Sequence, residues 1–191
     1  MSQHEYAPVT GQKALCQKVA DLYNRLYRQD KKSKYTWENV SISGGGRVAL
    51  TRIVAALGNI NMGHFLPDYT AYEELLSVFK AFIPIPILLS PEFGYKVPLE
   101  QIKKEVMGRG LQALLISNPC NPTGTAYTKD ELKGLATVVV ATPNFYVISD
   151  EIYEHINFVG KNESFAQFPE VYDRTITVNG VAKAFAMTGW R

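Results

Sequence analysis

Residues 111–124 read LQALLISNPCNPTG. The run from Ala113 to Ile116 is strongly apolar, short, and passes directly into a loop holding Pro119 and Pro122. A run of that length and character is a buried strand. The two prolines fix their own φ angles and remove two donors, so the loop after it is stiff and shaped. Residues 98–107 before it read as a helix. After it, Thr128 and Glu131 in TKDE form a capping box that starts another helix. The strand therefore lies between two helices.

The same alternation extends in both directions. Residues 11–29 place Leu15, Val19, Leu22 and Leu26 at spacings of 4, 3 and 4, which predicts an amphipathic helix. ENVSISGGG reads as a short strand ending in three glycines. From Arg47, RVALTRIVAAL is helical, with Leu50, Val54 and Leu57 on one face. GHFLPDY reads as a strand, and 70–81 as a helix with Tyr72, Leu75 or Leu76, and Phe79 on its apolar side. FIPIPILL is extended, and its prolines suit only an edge strand. NFYVISDEIY and RTITVNGVAK supply two more strands. Strands alternating with helices imply an α/β fold: a mostly parallel sheet with helices on both faces.

Composition narrows the function classes. With 46% hydrophobic and 20% charged residues, the 191-residue chain is globular rather than disordered. The net charge is +2 with Lys and Arg scattered, so no basic stripe points to nucleic acid. The apolar runs FIPIPILL and LATVVVA are too short to span a bilayer, and MSQHEYAPVTGQK has no signal-peptide core. Cys16 and Cys120 form no scaffold pattern, which implies a reducing cytoplasm. No metal-ligand cluster stands out.

In a parallel sheet, ligands bind beyond the carboxyl ends of the strands. The polar punctuation falls at those ends. SGGG enters a helix and exposes backbone N–H groups to an anion, typically phosphate, although a plain strand–helix turn has the same look. Asn118 and Asn121 in the Asn-Pro loop either hold ligand oxygens or bond their own turn. Asp150 closes an apolar strand, where a carboxylate needs a cationic partner unless it only caps a helix. Tyr153 follows one turn later. Lys183 stands among Val181, Ala182, Ala184 and Phe185. A lysine so enclosed favours the neutral, nucleophilic amine; the alternative is a lysine that reaches out to water. Together, a phosphate cradle, an Asn loop, a buried Asp and an apolar Lys match one cofactor, pyridoxal 5'-phosphate. It carries a phosphate, a phenolic oxygen, a ring nitrogen and an aldehyde.

SNPCNPTG, SDEIY and VNGVAKAFAMTGWR, taken jointly, resemble the signature segments of the fold type I pyridoxal-phosphate aminotransferases of class I/II. The last segment resembles most the prokaryotic-type aspartate aminotransferases. The resemblance implies a three-layer sandwich, the large cofactor-binding domain of that fold. It implies transamination between an L-amino acid, aspartate first, and a 2-oxo acid, through a Schiff base on Lys183. Asp150 pairs with the ring nitrogen. Asn121 and Tyr153 bond the phenolic oxygen, and Asn121 also helps seat the substrate carboxylate. Gly45, Gly46 and Arg47 offer backbone N–H groups to the phosphate, and Arg191 grips it with its guanidinium. Tyr69, in a segment resembling YPxY, stacks on the ring. Tyr6 reaches the phosphate of the other subunit of a homodimer. Aromatic aminotransferases and β-lyases share these segments and remain the alternatives.

Three departures accompany the resemblance. Gly180 and Ala182 stand where many relatives have Ser, which removes hydroxyls that tune the phosphate and the lysine. LPDYTAY is shorter than the usual segment. The family also runs to about twice this length. The expectation is that residues 1–191 are the N-terminal part of the large domain, with the small domain and C-terminal half absent. The sheet would then be incomplete, and the chain by itself inactive.

Overall fold

The computed structural model describes residues 6–77 and 82–190. Helices α1 (Lys13–Tyr27) and α2 (Gly46–Leu57) lead into strand β1 (Ile60–Leu66). Then follow α3 (Ala71–Ser77), β2 (Phe82–Leu88), α4 (Leu99–Arg109), β3 (Ala113–Ser117), α5 (Lys129–Ala141), β4 (Tyr146–Asp150) and β5 (Thr175–Val178). The strands form one sheet of order β2-β1-β3-β4-β5, and every pairing is parallel. Among the described residues no helix is long and apolar enough to cross a membrane.

The core has two halves because a strand turns alternate side chains to opposite faces. On β3, Leu114 and Ile116 pack under α4 and α5 with Ile102, Val106, Leu132 and Leu135. Ala113 and Leu115 face α2 and α3, against Leu50, Val54, Tyr72 and Leu76. All five residues of β3 are buried. This is the three-layer α/β sandwich that the alternation implied. Gly63 of β1 is held to glycine by packing, since a Cβ there would lie 2.9 Å from Leu111 Cδ1.

Several local expectations hold. β2 is an edge strand, with Pro84 and Pro86 opposite Met62 and His64. Thr128 and Glu131 cap α5 reciprocally. Leu50 and Val54 are buried on α2. Others change. The strand expected in ENVSI does not form: Trp37–Asn39 is a short 3-10 turn, and 40–43 run on without a ladder. A strand needs a neighbour, and the recorded bond of this segment to a distant one is Ile42 N–H to Thr10 O at 2.8 Å.

On α1 the stripe of Leu15, Val19, Leu22 and Leu26 is not the packed face; Leu15 and Leu26 are exposed. The face turned inward lies one residue on, with Cys16 and Ala20 buried and Tyr23 and Tyr27 below them. One residue is a 100° rotation, so two adjacent stripes competed and the aromatic one won. α3 is described as far as Ser77, so Phe79 lies outside the described residues.

The chain between α1 and α2 is held by an unusual cation. Arg28 is fully buried. It donates to Ser33 O and Ala166 O, both at 2.6 Å, and to the Ser33 hydroxyl. Its guanidinium lies 4.9 and 4.7 Å from the rings of Tyr35 and Tyr172. Carbonyls and two π faces replace a carboxylate partner there.

Candidate functional site

The carboxyl ends of β3, β4 and β5 and the N-terminus of α2 gather the chemistry. β4 ends at Asp150, which is buried. Its Oδ2 accepts from the Tyr72 hydroxyl at 2.5 Å and its Oδ1 from the Ile152 N–H at 3.2 Å. Burial raises its carboxyl above the ordinary aspartate range, and those two donors hold it back. Neither is a cation, so among the described residues the hydrogen bonds of Asp150 come from neutral donors.

The Asn-Pro loop is fixed to β4 by its first residue. Asn118 is buried, and its N–H donates to Asp150 O at 2.9 Å. Its amide donates to Glu163 O at 2.8 Å and accepts from Tyr127 N–H at 2.9 Å. The backbone N–H, Nδ2 and Oδ1 of Asn118 are thus used internally, which favours the second of the two readings, an asparagine bonded within the protein. Asn121 differs. Its Nδ2 lies 3.4 Å from the Tyr153 hydroxyl, so the structure brings those two sequence candidates together.

At the glycine loop, Gly45 caps α2 with φ 97°, a conformation that favours glycine. Its own N–H turns back to Ser43 O at 2.7 Å. Gly46 and Arg47 open the helix, where N–H groups have no intrahelical acceptor. The Arg47 guanidinium donates to the Tyr69 hydroxyl at 2.8 Å. Tyr69 stands edge-on to Tyr72 with ring centroids 5.6 Å apart. Arg47, Tyr69, Tyr72 and Asp150 therefore form a continuous chain from the helix end to the strand end. Gly46 joins it to β5, since a Cβ there would lie 3.9 Å from Val178 Cγ1.

Lys183 follows β5 on a turn closed by Ala186 N–H to Lys183 O and Met187 N–H to Ala182 O. The lysine is exposed, as are Val181, Phe185 and Trp190. Its apolar neighbours in sequence do not enclose it in space, because the turn projects them outward. That corrects the expectation of a lysine buried on an apolar loop. The turn still touches the Asp150 side: Phe185 packs edge-on to His155, and a Cβ on Gly180 would meet Ile152 at 3.3 Å. Tyr6 is fully exposed. Arg191 lies outside the described residues.

Tyr72 is the site residue that sequence reasoning missed; its helical spacing marked it only as apolar. Its signal was the position three after Tyr69, where α3 begins. His64 on β1 and Asp68 just after it form a second missed pair, at 2.7 Å, with both side chains covered. Asp68 lines a small cavity with Tyr72, Ser117, Cys120 and Tyr127.

Comparison with known proteins gives the family and the fold. The family model "Aminotransferase class I and II" matches residues 1–191. The aspartate/prephenate aminotransferase of Thermus thermophilus is 34% identical, over 98% of this chain and 47% of its own length. The solved aspartate aminotransferase of Thermus thermophilus with maleate superimposes with a TM-score of 0.86 at 33% identity, over 98% of this chain and 47% of that one. The aromatic aminotransferase of Pyrococcus horikoshii gives 0.85 at 30% identity, over 98% and 49%. The chain spans about half the length of the curated relatives it matches.

Proposed function

The chain belongs to the class I and II aminotransferases, and from that premise we propose that it provides the cofactor-holding side of a pyridoxal-phosphate-dependent amino-group transfer. The donors and acceptors are an L-amino acid, aspartate first, and a 2-oxo acid; the likeness to aspartate/prephenate aminotransferases supports this choice. The likeness to an aromatic aminotransferase supports an aromatic amino acid as the second reading. When bound, pyridoxal phosphate supplies a carbonyl for the amine and a ring that accepts electrons.

Asp150 carries the proposal. A buried carboxylate whose recorded partners are two neutral donors is an incomplete ion pair. A protonated ring nitrogen would complete it, so the residues present fit the group. Asn121 and Tyr153 set an amide N–H and a hydroxyl side by side, as an ionised phenolic oxygen requires. Gly46 and Arg47 offer the N–H groups of the α2 terminus to a phosphate, with Gly45 shaping the entry. Arg191 is assigned to the same phosphate from sequence. Tyr69 serves as the stacking ring.

Lys183, exposed on its turn, presents an amine that a carbonyl can reach, and it moves the proton at the substrate Cα. Asn121 also seats the substrate carboxylate. Tyr6, fully exposed, is available to a second copy in a homodimer. The free thiols Cys16 and Cys120 support a reducing cytoplasm. In the intact protein, residues 1–191 form the N-terminal part of the large domain, supported by the half-length match to the relatives.

Borohydride reduction of the protein loaded with pyridoxal phosphate, followed by peptide mapping, is expected to place a pyridoxyl group on Lys183. A pyridoxyl group on another lysine would overturn the assignment.

A further inference from the structure

The turn that carries Lys183 is exposed and bonded mainly to itself, through Val181, Ala182, Lys183 and Met187 carbonyls. Its attachment to the body lies just before it. Asn179 donates through Nδ2 to the Tyr23 hydroxyl at 2.9 Å, and its Oδ1 accepts from Gly180 N–H at 2.7 Å. Gly180 lies against Ile152, where a Cβ would come 3.3 Å from Ile152 Cδ1. Val178 O accepts from Glu151 N–H at 2.8 Å. Exit of β5, exit of β4 and helix α1 thus meet at one point.

α1 meets both exits with the same face. Tyr23 reaches the lysine side. Tyr27, one turn on and 5.6 Å away between ring centroids, donates to Glu154 Oε2 at 3.3 Å on the aspartate side. Burial first, and then the carboxylates of Glu151 and Glu154, keep the Tyr23 hydroxyl protonated far above its ordinary range. A neutral hydroxyl keeps lone pairs for the Asn179 amide.

We propose that Tyr23 is a positioning residue: through Asn179 it holds the exit of β5, and with it Lys183, at a fixed distance from the turn that follows Asp150. The structural tether stands on the contacts alone; its consequence for cofactor capture rests on the function proposed above.

The test uses the full-length protein and the variants Tyr23→Phe, Asn179→Ala and their combination, with Tyr27→Phe as control. Trypsin cleavage after Lys183 is timed against cleavage after Lys161, an exposed lysine on another loop. Loss of one hydrogen bond is expected to raise that ratio about fivefold in Tyr23→Phe. Tyr27→Phe is expected to leave it unchanged. Adding Tyr23→Phe to Asn179→Ala is expected to change nothing further, because the shared bond is already gone. In parallel, the rate at which Lys183 captures added pyridoxal phosphate, trapped by borohydride, is expected to fall about fivefold at an unchanged final extent.

An unchanged cleavage ratio in Tyr23→Phe, or an additive double variant, overturns the tether. Should the wild-type protein capture no pyridoxal phosphate at Lys183, the cofactor reading falls while the cleavage ratio still decides the tether.

Discussion

Glu151 follows Asp150 directly and has no solvent exposure. Its Oε1 accepts from the Ser149 hydroxyl at 2.8 Å and the Phe165 N–H at 3.1 Å, and Ser164 lies beside the carboxyl. Burial raises its carboxyl to about 7, with Ser164, Ser149 and Phe165 opposing and Glu154 adding. The folded state therefore binds this proton more tightly than the unfolded state. Its stabilising share is complete below the unfolded value of 4.5 and is lost as pH rises to about 7. The loss is roughly 3 kcal/mol at its upper bound. Thermal unfolding of the wild type is expected to move to lower temperature from pH 5 to pH 8. Glu151→Gln, which keeps the acceptor oxygen and removes the titration, is expected to flatten that slope; a parallel slope in the variant would exclude Glu151 as its source. Asp150 was legible in sequence because a carboxylate closing an apolar strand is out of place. Glu151 and Tyr72 were not, since each owes its character to a partner on another element. The Tyr72 hydroxyl meets a carboxylate 78 positions away.

Elements were legible where their own residues settle their ends. The capping box of α5 is such a case, with Thr128 Oγ1 accepting from Glu131 N–H at 3.3 Å and Glu131 Oε2 from Thr128 N–H at 2.7 Å. Thr128→Ala is expected to cost about 1 kcal/mol, read as a lower denaturant midpoint with unchanged slope. Glu131 also holds Lys96 at 2.7 Å, and it remains a half-exposed pair of small worth. Elements were illegible where neighbours decide. Residues 40–43 carry a strand-like pattern and stay without a ladder because, among the described residues, no strand pairs with them. α1 was legible as a helix from its period, but which of two adjacent stripes faces inward was settled by Tyr23 and Tyr27 finding Asn179 and Glu154.

At the level of the whole molecule, alternation of strands and helices was enough to give the layers, and the proline rule was enough to put β2 at an edge. The order of the remaining strands was not readable, because each crossover joins strands whose neighbours are chosen by packing across the sheet. Pro84 and Pro86 stand two apart, so both point their nitrogen the same way, and β2 pairs with β1 by its other residues. Replacing both with Val is expected to restore two donors on the outer edge and to give concentration-dependent association by light scattering, where the parent stays monodisperse over the same range. The Arg109 guanidinium already covers the Pro86 carbonyl at 3.2 Å. At positions 84 and 86 the β2 flank thus presents carbonyls without N–H groups beside them, whereas no proline interrupts β5. The layer is like a row of masonry with one end half finished: a further strand, from this polypeptide or another, meets an unbroken ladder at β5 and a proline-gapped one at β2.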